Sequence, residues 1–169
     1  MTKKHITYSL PVKPHIAKYL SHHYGEVIEV SRYSRIDHVS SYLRLLLRTK
    51  CELKQYERSV EFYSAEVKIQ LSLDQVLNRG RNNINGMVIA KFHSYINSIF
   101  WNEFYQFMIE RITIYEQFGR SYEKVEFAKE FMKKYDICEG EDMEVNTFMK
   151  TFSKFFNKKP HARSSVSHG

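Results

Sequence analysis

Cysteine is scarce: the chain of 169 residues has two, Cys51 and Cys138, far apart and in no CxxC pair. That excludes a multiply disulfide-stapled scaffold. Reduced thiols in a cytoplasmic setting are the expectation, with a single disulfide left open. Long apolar runs are missing too. The most apolar stretch, 84–101, is broken by Asn85, Lys91, His93 and Asn97, short of the about eighteen clean residues a spanning helix needs. The start, MTKKHITYSLPVKP, is mildly basic without an apolar h-region, which argues against export. Neither a GxxxxGKS/T loop nor a dinucleotide fingerprint occurs, so no nucleotide cofactor is indicated.

Catalytic and metal patterns are equally thin. His15, His22, His23 and His38 invite a metal reading. His15 and His22, however, stand two turns apart on one helix, roughly 10 Å, too far to share an ion. Glu103, Glu110 and Glu116 do not pair at the spacing of a two-metal nuclease, and Asp37–His38 and Asp74 are isolated. The sequence therefore predicts no catalytic residue, no metal and no cofactor.

Aromatic residues are abundant, with twelve Tyr and twelve Phe against one Trp, and 43% of the chain is hydrophobic. Such a chain can bury a core built largely of flat rings with tyrosine hydroxyls at its edges. The stretch 87–118 reads as one long helix, free of proline and glycine. Its apolar positions, Val88, Phe92, Ile96, Ile99/Phe100, Phe104, Phe107/Met108, Ile112 and Tyr115, recur every three or four residues. This stripe is wide enough to be packed on two sides. A helix this long also leaves room for a kink.

The flanking segments follow from local signals. HITYSL at 5–10 alternates weakly, as a short edge strand would, and Pro11 and Pro14 bracket a turn. Pro14 suits a first helical position and Gly25 a stop, which predicts a helix over 14–24. A brief extended piece covers 27–30, and SRYSR at 31–35 is a basic turn. Asp37 is a cap for a helix over 38–49. Between 59 and 71 the period becomes two, clearest where Val67, Ile69 and Leu71 alternate with Glu66, Lys68 and Gln70. Ser72 and Gln75 form a capping box for a short helix ending at Gly80, and RNNING at 81–86 connects to the long helix. Helices then follow over 122–135, capped by Ser121, and 143–157, joined by the acidic DICEGEDM. The last ten residues have no pattern and read as a disordered tail.

The fold class expected is α+β, mainly α-helical: a long central helix, a small antiparallel sheet from parts of 5–10, 27–30 and 59–71, and a C-terminal helical pair. Residues 1–158 form one compact domain, with a basic α+β part over 1–80 and a helical part over 87–157, and 159–169 form the tail.

Charge gives the functional lead. The formal net charge is +7, and the first sixty residues carry eleven Lys/Arg against five Asp/Glu. A basic surface fits a polyanionic partner. The expected phosphate contacts are Arg32, Arg35, Arg44, Arg48 and Lys54, with Tyr33 between Arg32 and Arg35 as a stacking surface for a single strand. A second contact lies on the last helix, where Asn146, Lys150, Ser153, Lys154 and Asn157 share a polar face, and Asn and Lys can contact base edges or phosphates. Two amphipathic helices after a long one can make a helix-turn-helix-like unit. Against this stand a connector longer than a tight turn and the acidic run Glu139, Glu141, Asp142, Glu144.

The segments LPVKPHIAKYLSHHYG at 10–25 and AKEFMKKYDICEGEDMEVNTFMKTFSKFF at 128–156 resemble small basic proteins of Bacteroides-type mobile elements and phages. That resemblance implies a setting and no site residues. The functional expectation is a nucleic-acid-binding accessory or regulatory protein, non-catalytic and cytoplasmic, with no membrane partner. The alternative is an oligomeric assembly or adaptor protein of such an element, dimerising through aromatic helix faces.

Overall fold

The computed structural model describes residues 4–30, 37–48, 63–77 and 84–158. Within them the chain forms β1 (His5–Val12), α1 (Pro14–Tyr24), β2 (Val27–Glu29), α2 (His38–Leu46), β3 (Ala65–Ser72) and α3 (Leu73–Leu77). Three longer helices complete it: α4 (Gly86–Gln117), α5 (Lys124–Lys134) and α6 (Val145–Lys158). This is an α+β fold, mainly helical, as the periodicities indicate.

β3 is the central strand, flanked by β1 and β2. Its alternation is real: Val67, Ile69 and Leu71 are buried while Glu66 and Lys68 are exposed. The sheet is mixed, which corrects the antiparallel expectation. β1 pairs with β3 antiparallel, from His5 opposite Ser72 to Val12 opposite Ala65, whereas β2 runs parallel to β3. The reason is the long connection between β2 and β3, which contains α2; a helical crossover lets the chain re-enter the sheet in the same direction. β1 also runs straight through Pro11 instead of turning there. A proline is tolerated because β1 is an edge strand, with one row of backbone amides outside the ladder.

Helix starts mostly follow their caps. The Asp37 side chain accepts from the Val39 amide at 3.0 Å. The Ser72 amide donates to Gln75 Oε1 at 2.8 Å, and the Gln75 amide returns to Ser72 Oγ at 3.4 Å. Asn85 caps α4 through the Val88 amide at 3.0 Å. α2 ends at Leu46, three residues early. Ser121 does not cap α5, which starts at Lys124. Tyr122 is held outside the helix, its ring stacked on Phe127 at 5.5 Å and its hydroxyl bonded to Glu116 at 2.8 Å. At its other end α5 stops in a left-handed turn at Asp136 (φ 53°), where the Ile137 amide reaches back to the Met132 carbonyl. α6 starts at Val145, two residues late.

α4 runs unbroken for 32 residues, roughly 48 Å, and serves both halves of the molecule. Its first half, Met87 to Ile96, is buried against β1, α1 and α2. Its middle, Phe100, Phe104 and Met108, is buried with Phe127, Phe131, Phe148 and Phe152 of α5 and α6. Phe104 lies 5.1 Å from Phe131, 5.0 Å from Phe148 and 6.2 Å from Phe152, edge to face throughout. Gly80, the start of RNNING, residues 59–62 and the tail lie outside the described residues. None of the described helices is long and apolar enough to cross a membrane.

Candidate nucleic-acid interface

α6 buries one face and presents the other. Phe148 and Phe152 are buried, and Phe155 stacks on Tyr105 at 4.0 Å. The opposite face carries Asn146, Lys150, Ser153, Lys154 and Asn157, all exposed. Among the described residues Lys150 and Lys154 enter no ion pair. Lys91 and Lys133 are likewise exposed and enter none among them, whereas Lys18 pairs with Asp142 at 2.5 Å, Lys129 with Glu126 at 3.0 Å, Lys134 with Glu103 at 2.9 Å, and Arg111 with Glu130. At the C-terminal end of α6 the ring of Phe156, 52% exposed, lies under Lys124 at 5.8 Å. Beyond α4, Phe118 is 72% exposed, with Arg120 over its ring at 5.9 Å. Exposed rings beside cations can stack on bases, with the cations free to meet phosphates.

The acidic connector occupies the other end. Glu139, Glu141 and Glu144 are exposed, but Asp142 is withdrawn: its carboxylate accepts from the Cys138 amide at 2.6 Å and from Lys18. Lys154 sits ten residues past Glu144, roughly 15 Å along the helix, and screening at physiological salt acts within about 8 Å. Lys154 is therefore largely screened from Glu144, while Lys150, six residues past it, stands roughly 9 Å away, about one screening length. The same order of charges also suits the helix dipole.

Of the expected N-terminal contacts, Arg44 and Arg48 fall within the described residues. Arg32, Arg35 and Lys54 lie outside the described residues, as do Tyr33 and the turn that holds it. Arg44 is half-buried on α2, and Arg48 is exposed one turn further on. Lys4 and Lys13 flank the two ends of β1, roughly 30 Å apart.

A convergence that the sequence does not announce centres on Glu103 of α4. Its Oε2 accepts from the Tyr19 hydroxyl of α1 at 2.9 Å and lies 3.7 Å from His23 Nε2. Its Oε1 accepts from Lys134 at 2.9 Å and from the Tyr135 hydroxyl. Burial raises the carboxyl pKa, but the bonds from Lys134, Tyr135 and Tyr19 outweigh it and hold the group below the usual carboxylate range. With both oxygens occupied and the charge fixed, Glu103 is a fastener of three helices. A cleft of about 480 Å³ opens beside it between α1 and α2, with Tyr19, His23, Tyr24, Asp37 and His38 on its walls. Its tyrosine hydroxyls are tied to carboxylates, Tyr24 to Asp37 at 2.9 Å. The partners of Glu103 are 84, 31 and 32 residues away, so no local spacing reveals them. Comparison with protein-family models, curated proteins and solved structures gives no match.

Proposed function

We propose that the chain is a non-catalytic nucleic-acid-binding accessory or regulatory protein whose contact surface is the outward face of α6. The observation that carries this reading is that Lys150 and Lys154 are exposed and enter no ion pair among the described residues, while Asn146 and Asn157 share their face. The lysines dock phosphates and the asparagines supply any base preference. Arg48, exposed beyond α2, is a second phosphate contact; Arg44 beside it, with Arg32, Arg35 and Lys54, extends the same reading into the N-terminal third.

The test is a salt titration of binding to duplex and single-stranded oligonucleotides. Wild-type affinity falls steeply with salt, and the double variant Lys150→Gln/Lys154→Gln lowers the slope on duplex DNA by about 1.8, two phosphates at about 0.9 each. No binding at low salt, or an unchanged slope in the variant, overturns the reading.

A second reading has its own support. Phe118, Phe156 and Ile114 are exposed large apolar side chains on the helical half, and such a surface suits self-association in an assembly protein. Sedimentation of wild type and Phe118→Ser/Phe156→Ser separates the two: a dimer lost in the variant, with no oligonucleotide binding by the wild type, favours assembly.

A further inference from the structure

Among the described residues the core encloses four polar side chains: His15, Ser40, Gln75 and His93. Ser40 and Gln75 are provided for. The Ser40 hydroxyl donates to the Glu29 carbonyl at 3.0 Å, and the Gln75 amide nitrogen donates to the Val30 carbonyl at 2.9 Å. The histidines are not. The Nε2 atom of each is sealed from solvent without a hydrogen-bond partner, an arrangement that costs free energy already when the ring is neutral and far more when it is charged.

The two rings neighbour one another, and both lie near Lys13 at the start of α1. His15, in the first turn of α1, packs 5.3 Å from Phe100 of α4, with Asn97 of the same helix nearby. His93 lies one turn before Asn97 on α4 and stacks on Tyr63 at 4.3 Å. The charged and titratable groups near them are few. Lys13 lies near both rings, they lie near one another, Asp142 of the α5–α6 connector lies near His15, and the Tyr63 phenol stacks on His93. Asp142 is already paired with Lys18.

We propose that the α1–α4 seam is an acid-sensitive joint: proton uptake by His15 and His93 opens it, while the α4–α5–α6 bundle stays closed. Burial first, and then Lys13, hold both imidazoles down to about 4, from an ordinary 6.5; for His15 the neighbouring His93 adds to this, and Asn97 and Asp142 oppose it. The neutral rings therefore contribute fully above about pH 6.5, and their contribution is lost as the pH falls toward 4. The bundle interior contrasts with the seam. Phe100, Phe104, Met108, Phe131, Phe148 and Phe152 fill it, and none of them titrates. The Tyr19–Glu103 bond also crosses the seam. Its carboxyl is held below the usual carboxylate range, so opening starts at the His15 end of α1 and the Glu103 clasp yields after it.

The experiment is amide hydrogen exchange of the full chain, corrected for intrinsic rates, between about pH 7.5 and about pH 4.5. It is run on wild type and on His15→Leu/His93→Phe, with histidine NMR titration of the wild type alongside. In the wild type, α1 peptides lose protection while α5 and α6 peptides keep it, and in the variant that loss moves down by about 1 pH unit or more. Simultaneous loss in all helices, or an unchanged profile in the variant, overturns the proposal. Where the variant does not fold, the titration decides: values for His15 and His93 near 6.5 overturn it, and depressed values together with selective loss in α1 sustain it.

Discussion

Replacing Glu103 by leucine isolates the fastener between α1, α4 and α5. The substitution keeps the apolar contacts of the side chain and removes the acceptor of two enclosed hydroxyls, Tyr19 at 5% exposure and Tyr135 at 1%. A hydrogen bond to a charged group contributes about 1.5–3 kcal/mol, giving an upper bound of about 6 kcal/mol for two. Glu103 keeps 30% of its side-chain surface, so water reaches the site and replaces part of that loss. The Lys134 and His23 contacts are half-open to solvent and contribute roughly 0–1 kcal/mol. The expected cost is about 3 kcal/mol, a fall in Tm of about 6–12 °C. Urea denaturation followed by the fluorescence of Trp101 measures it. Glu103→Gln keeps one acceptor and costs about 1 kcal/mol. Adding Tyr19→Phe and Tyr135→Phe to Glu103→Leu recovers about half of the loss, because removing both partners leaves no orphan. A cost for Glu103→Leu below about 0.5 kcal/mol, or no recovery in the triple variant, refutes the reasoning.

Other consequences are as direct. Because the Glu103 carboxyl is held below its unfolded value, near 4.5, the stability it adds is present above that value and is lost as the pH falls through the folded one; the gap between wild type and Glu103→Leu in urea titrations narrows below about pH 4. Phe104→Ala empties the centre of the ring cluster shared by α4, α5 and α6 and costs about 3–5 kcal/mol in denaturant, with early loss of α6 protection in hydrogen exchange. Asp136→Gly relieves the left-handed residue that ends α5, and Gly119→Ala strains the one at φ 60° after α4; calorimetry shows a gain and a loss of about 1 kcal/mol each. Gln75→Ala removes the capping box and the buried bond to Val30, costing about 2 kcal/mol in urea denaturation.

Much of the fold is written in short-range signals. The 3.6-residue stripe of α4, the alternation of Val67, Ile69 and Leu71, and the side chains of Asp37 and Ser72/Gln75 each act within a few residues, so the sequence shows them. Strand order does not work this way. Whether β2 runs parallel or antiparallel to β3 depends on the crossover between them, and no residue of VIE encodes it. Pro11 reads as a turn locally and is tolerated in a strand because of where that strand lies in the sheet. Glu103 reads as one more polar position on α4, since its bonds arrive from residues on α1 and at the end of α5. His15 is the same case: α1 packs on the sheet with one face and on α4 with another, so a polar residue beside Ile16 is enclosed. The exposed face of α6 is legible because it is a property of one helix. The basic cluster of the first third needs tertiary assembly, and the described cations at Lys4, Lys13 and Lys18 are dispersed or paired.

The contact face of α6 is tested most directly by an NMR footprint of the full chain titrated with a short oligonucleotide at low salt. The largest shifts are expected along Asn146–Asn157, including the side-chain amides of those two asparagines, with the seam at His15 and His93 unmoved. Shifts confined to other elements, or none at all, contradict the assignment of α6 as the nucleic-acid contact.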